Sequence, residues 1–178
     1  MRRLMLLRHA KTETDAPSGR DQDRRLDDRG HRDAAQMGDW IAAHPPFPEV
    51  VLVSHAVRTR QTWDIAWEAM KDRVAAPQVE ILPELYGADP AQILDSIRTA
   101  TAPANPRHLM LVGHNPGMHE AALMLMKGGD PAGAKALAHN LPTAGLAVFD
   151  FDVKDWEDVA YRRGKLVLFV SPKLLRLG

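Results

Sequence analysis

Three short apolar runs in this chain each break off into a cluster of polar, chemistry-bearing residues. Leu6-Leu7 runs into Arg8-His9-Ala10-Lys11-Thr12, Val51-Leu52-Val53 into Ser54-His55-Ala56-Val57-Arg58, and Leu111-Val112 into Gly113-His114-Asn115-Pro116. Such runs alternate with helical patterns along most of the chain, which predicts an α/β domain with a largely parallel sheet. The strands are expected at Leu4–Leu7, Val50–Val53, Val79–Leu82, His108–Val112, Leu146–Phe149 and Lys165–Val170, and the helices at Asp28–Ala43, Arg58–Asp72, Pro90–Thr99 and Pro116–Met126. The first helix carries the strongest signal. Ala34, Met37 and Ile41 fall at the spacing of one buried face, and Asp27 stands where an N-cap belongs. In an open α/β sheet the ligand crevice lies at the carboxyl ends of the strands, so three reactive strand ends converge on one spot.

Turn chemistry separates the elements at His44-Pro45-Pro46-Phe47-Pro48, Ala102-Pro103-Ala104-Asn105-Pro106 and Gly128-Gly129-Asp130-Pro131-Ala132-Gly133, none of them long enough to be a linker. A length of 178 residues therefore reads as a single domain over 1–178. Residues 11–33 hold six basic and seven acidic side chains and read as a solvated loop leading into the first helix.

Charge and composition narrow the function. With 23 Lys+Arg against 23 Asp+Glu the net charge is zero, so no broad basic field exists to capture nucleic acid or an anionic membrane, and any anion site is local. The absence of cysteine excludes a disulfide framework, a Cys-based zinc site, an iron–sulfur cluster and a thiolate nucleophile. The apolar run near the N-terminus stops at four residues, where a secretion signal needs about 7–15. No run approaches the roughly 18 apolar residues of a membrane span. A soluble cytoplasmic protein is the expectation.

The strand-end residues point to an oxyanion. Arg58 lies in the first turn of its predicted helix, where the macrodipole disfavours a cation by about 0.3–1 kcal/mol unless an anion is bound. Asn115-Pro116 reads as an N-cap followed by Pro at the first helical position, which sets His114 at a second helix start with free N–H groups nearby. Arg8 offers a planar fork of donors suited to phosphate oxygens. An imidazole held among such cations, as His9 would be, has its protonated form disfavoured and its nucleophilic neutral form favoured. The other histidines read differently. His114 and His119 lack the His-x₃-His spacing of a metal pair, His31, His44 and His139 read as surface residues, and His108 as structural, while His55 sits beside the crevice with its role open. No Walker A, GxSxG or GxGxxG pattern occurs.

Taken together, Arg8-His9-Ala10-Lys11-Thr12, Arg24-Arg25-Leu26-Asp27-Asp28-Arg29-Gly30, Val53-Ser54-His55-Ala56-Val57-Arg58-Thr59-Arg60-Gln61-Thr62 and Leu111-Val112-Gly113-His114-Asn115-Pro116 resemble, in order, the motifs of the histidine phosphatase superfamily. Leu82-Pro83-Glu84-Leu85-Tyr86 is also similar, and the likeness is strongest to the compact SixA-type phosphohistidine phosphatase branch. The resemblance implies a phosphoglycerate mutase-like three-layer α/β/α sandwich with a mostly parallel central sheet, and no metal or cofactor. It implies that His9 is a nucleophile that becomes phosphorylated, that Arg8, Arg58 and His114 bind the phosphoryl oxygens, and that Thr12 adds a hydroxyl contact. Ala10 departs from the glycine of the usual R-H-G triplet, in a way common in that branch. Glu84 is the candidate proton donor by position. The implied substrate is phosphohistidine on a protein partner, with small phosphorylated metabolites or a non-catalytic phosphate-binding module as alternatives. A chain with no long insertion is expected to leave its site shallow and open to a protein-borne phosphate.

Overall fold

The computed structural model describes residues 1–99 and 104–177. Its strands are β1 (Arg2–Arg8), β2 (Val50–Ser54), β3 (Gln78–Leu82), β4 (His108–Gly113), β5 (Met126–Gly129), β6 (Leu146–Phe151) and β7 (Gly164–Val170). Its helices are α1 (Asp28–Ala43), α2 (Val57–Met70), α3 (Pro90–Thr99), α4 (Gly117–Leu125), α5 (Pro131–His139) and α6 (Pro172–Leu177). The seven strands form one sheet in the order β3-β2-β4-β1-β6-β7-β5. Its pairings are parallel except for the two made by β6, with β1 and β7.

The period-two alternation of the strands builds two cores. Leu4 and Leu6 of β1 point to one face, where Leu52, Leu109, Leu111, Ala147 and Phe149 pack with Ile93, Ile97, Met118, Leu125 and Leu137 of α3, α4 and α5. Met5 and Leu7 point to the other, against Ala34, Met37 and Ile41 of α1 and Trp63 and Met70 of α2. Helices on both faces make the expected three-layer sandwich. On α1, Asp27 is the N-cap and its carboxylate accepts the Gly30 N–H at 2.8 Å, as the sequence predicts.

The structure departs from the sequence reading in several places. The Gly128–Gly133 stretch, expected as a turn, is the end of β5 and the start of α5, capped by Asp130 accepting from the Gly133 N–H at 2.9 Å. Helix α6 was not expected; Ser171 caps it, and its Arg176 reaches the buried Asp33 at 3.3 Å. Helix α4 starts at Gly117 with Pro116 as its N-cap, and a Cβ at 117 would collide with the Ala88 carbonyl oxygen, so the close approach there requires glycine. Asn115 still serves that helix from one residue earlier, its Oδ1 accepting the His119 N–H at 3.2 Å. Ala102 and Pro103 of the predicted turn lie outside the described residues. Among the described residues no helix is long and apolar enough to cross a membrane.

Candidate active site

The three motif-bearing strands are neighbours, in the order β2-β4-β1 and all parallel. Register places Arg8 opposite Gly113 and Val53 opposite Val112, so Arg8-His9, Gly113-His114 and Ser54-His55 emerge side by side at one carboxyl edge. The backbone completes the join: the His9 N–H donates to the Gly113 carbonyl at 3.1 Å, and the Ala10 N–H to Thr62 Oγ1 at 3.0 Å. Thr62 in turn donates to the Arg58 carbonyl at 2.7 Å, tying the loop after β1 to α2.

His9 is buried, with its ring centroid 5.4 Å from that of His114. Its Nδ1 lies 2.7 Å from the Ala10 carbonyl oxygen, and a carbonyl only accepts, so Nδ1 carries the proton. The Nε2 lone pair is left free. Burial pushes the His9 pKa down to about 4 against the raising effect of the Ala10 carbonyl, and Arg8, Arg58 and Arg24 lower it further. At neutral pH the ring is an uncharged, oriented base. His114 is held down to about 3 by burial first and then by Arg58 and His9. Its Nε2 is 2.7 Å from Ser54 Oγ, and its Nδ1 is buried with no hydrogen-bond partner.

Two guanidiniums flank these rings. Arg8 Nη1 donates to the Leu141 carbonyl at 3.1 Å while its Nε is buried without a partner. Arg58 is buried in the first turn of α2, where Nη1 donates to the Asp21 carbonyl oxygen at 2.9 Å and Nη2 to Asp21 Oδ2 at 3.0 Å. Its Nε too is unpaired. Buried polar atoms left without partners are uncommon in folded proteins, and here three of them, on Arg8, Arg58 and His114, belong to one cluster. A phosphate or similar oxyanion supplies the acceptors that such a cluster needs.

A rim surrounds this floor. Asp21 sits in a 3-10 turn (Asp21–Asp23) and accepts from Arg58, from Arg24 Nε at 2.9 Å and from the Tyr86 hydroxyl at 2.7 Å. Tyr86 meets His114 and His55 edge-on, at 5.6 Å and 5.5 Å between centroids. The reading of residues 11–33 as a solvated loop is thus corrected for Asp21 and Arg24, which the pairing with α2 draws into the site. Arg24 stood within a quoted motif, whereas no signal in the sequence marked Asp21. Thr12 Oγ1 accepts from Arg24 Nη1 at 3.0 Å, which helps position that guanidinium and leaves the threonine O–H as a donor. Glu84 is exposed and lines a separate depression with Leu82, Asp89, Gln92 and Asp95.

The family model of the histidine phosphatase superfamily, branch 1, matches residues 4–90. A SixA protein from Nakamurella multipartitia, proposed to be a phosphohistidine phosphatase, superposes with a TM-score of 0.79 at 30% identity, over 96% of each chain. A SixA protein from Agrobacterium tumefaciens with the same proposed activity gives 0.77 at 32% identity, over 96% of this chain and 98% of that one. An uncharacterised protein of Mycobacterium leprae is 31% identical over 173 residues, 94% of this chain and 100% of the relative. With the strand-end histidines and arginines in place and likeness running through nearly the whole chain, the protein belongs to the histidine phosphatase superfamily.

Proposed function

We propose that the protein hydrolyses phosphohistidine on a protein partner through a covalent phospho-His9 intermediate. The observation that carries this reading is the state of His9: neutral, fixed through Nδ1 to the Ala10 carbonyl, and near enough to Arg8, Arg58 and Arg24 for their charges to lower its pKa. Phosphoryl transfer asks little of a protein beyond positioning and cations aimed at the phosphoryl oxygens. In the proposed cycle His9 Nε2 attacks phosphorus while Arg8, Arg58 and the free Nδ1 side of His114 hold the oxygens. The P–N bond of the substrate breaks and its electron pair stays on the departing imidazole nitrogen. Water then attacks phospho-His9, releasing phosphate and restoring the free ring.

Phosphohistidine suits this site because its leaving imidazole needs no strong general acid, whereas an alkyl ester does. An exposed depression of about 300 Å³, lined by Thr14, Asp15, Gly19, Arg20, Asp21 and Arg24, adjoins the site at Asp21 and Arg24. The test is to incubate wild type and the His9→Ala variant with a phosphohistidine peptide and with a panel of metabolite phosphate esters. Acid-labile phosphate is expected on wild type alone, with the peptide turned over faster than the esters. Equal activity in the variant overturns the intermediate, and faster ester turnover overturns the substrate.

A further inference from the structure

Asp21 stands in a position that the cycle above does not use. His9, Arg58 and His114 are each under a tenth exposed, while the Asp21 side chain is 52% exposed, so the histidines and Arg58 form the floor and Asp21 the mouth. The carboxylate is not a mobile loop acid. Arg58 and Tyr86 hold Oδ2 and Arg24 holds Oδ1, each at 3.0 Å or less, and the Asp21 carbonyl takes a further bond from Arg58 Nη1. In an in-line displacement the leaving atom departs on the side of phosphorus opposite the attacking nitrogen. The nucleophile lies at the buried floor, so departure is toward the mouth, where the Asp21 carboxylate and the Tyr86 ring stand.

We propose that Asp21 is a specificity-determining residue that favours phosphorylated groups entering the site as cations, N-phosphorylated imidazolium above all, over phosphate esters. This rests on the phosphatase reading given above. When the P–N bond of a protonated phosphohistidine breaks, the electron pair stays on the ring nitrogen that bore phosphorus. The ring's other nitrogen keeps its proton throughout, so a cationic ring leaves as neutral imidazole. That N–H is the group a carboxylate at the mouth accepts. An alkyl ester leaves as an alkoxide beside the same carboxylate, which adds like-charge repulsion. Asp21 gives the alkoxide no proton, because the Tyr86 hydroxyl, with Arg58 and Arg24, holds the carboxyl down to about 2.

The experiment compares wild type with Asp21→Asn on two peptides of one sequence, carrying phosphohistidine or phosphoserine at the same position, and follows orthophosphate binding to both proteins by calorimetry. The variant keeps the side chain's size and removes its charge. The phosphohistidine-to-phosphoserine ratio of kcat/KM is expected to fall about tenfold in the variant, the size of a lost hydrogen bond to a charged group, while orthophosphate binds the variant at least as tightly as wild type. An unchanged ratio in a wild type that prefers phosphohistidine overturns the role of Asp21 alone. Equal losses on both peptides with weakened orthophosphate binding overturn it as well, reducing Asp21 to a brace for Arg58. A wild type that prefers phosphoserine overturns the phosphohistidine reading itself.

Discussion

The floor and the mouth of the site are built in opposite ways. On the floor, His9, Ser54 and His114 sit at or one residue beyond the ends of adjacent parallel strands, and Arg58 in the first turn of α2, so their separations follow from strand register and burial is nearly complete. At the mouth, Asp21, Arg24 and Tyr86 come from loops and 3-10 turns, meet through side-chain hydrogen bonds and one backbone bond from the Arg24 N–H to the Asp21 carbonyl, and remain partly exposed. The contrast separates two tasks. A floor held by the sheet keeps rings neutral and donors unpaired at fixed points, which is what pre-organised charge stabilisation requires. A mouth held by a few polar contacts is free to differ with the group that carries the phosphate.

The largest expected effect in testing that contrast belongs to the floor. Arg58→Ala removes a buried charge-assisted donor and should weaken inhibition by orthophosphate or vanadate by about 1.5–3 kcal/mol, roughly 10- to 150-fold. An unchanged inhibition constant would take Arg58 out of the oxyanion site and break the distinction between floor and mouth.

A second expectation concerns pH. Native His9 and His114 titrate at about 4 and about 3 instead of 6.5. Across that window the unfolded chain binds protons that the native chain refuses, so stability is complete above pH 6.5 and falls as the pH drops toward 4 and then 3. Asp21, held near 2, adds its own loss only below the ordinary carboxylate value of 3.8. Thermal melts between pH 7 and pH 4 should therefore show a declining midpoint, and His9→Gln should flatten part of the decline. Parallel curves for variant and wild type would mean that the floor does not hold His9 neutral.

The smallest effect is expected at Glu84, which faces the depression beside α3. Turnover of a phosphohistidine peptide by Glu84→Gln should stay within about twofold of wild type, as for an ordinary surface change. A general acid would cost about 10²- to 10⁴-fold. A loss of that size would place Glu84 at the mouth and redraw its boundary.

The divide between floor and mouth is also the divide in what could be read before folding. Arg8-His9, Ser54 and His114 follow apolar runs directly, and a strand ends where the run does, so their convergence is a local pattern repeated three times. The cap at Asp27 and the buried face of α1 are local in the same sense. The strand β5 and the helices α5 and α6 escaped that reading. Their Gly and Pro residues look like turn chemistry until Asp130 caps α5 and the paired β7 supplies β5 with a neighbour.

The sequence alone thus determined an α/β sheet with three reactive strand ends, zero net charge that confines any anion site to a local cluster, and, in a chain without cysteine, a strand-end histidine that resembles the nucleophile of its family. Only the tertiary structure decided which nitrogen of His9 is free, how far burial and three guanidiniums lower its pKa, and that Asp21, an acid in a charge-mixed loop, meets Arg58, 37 positions away. The reason is physical. Periodicity and capping act between residues close in the chain and leave their mark there, whereas desolvation and ion pairing depend on which groups the completed packing brings within a few ångströms.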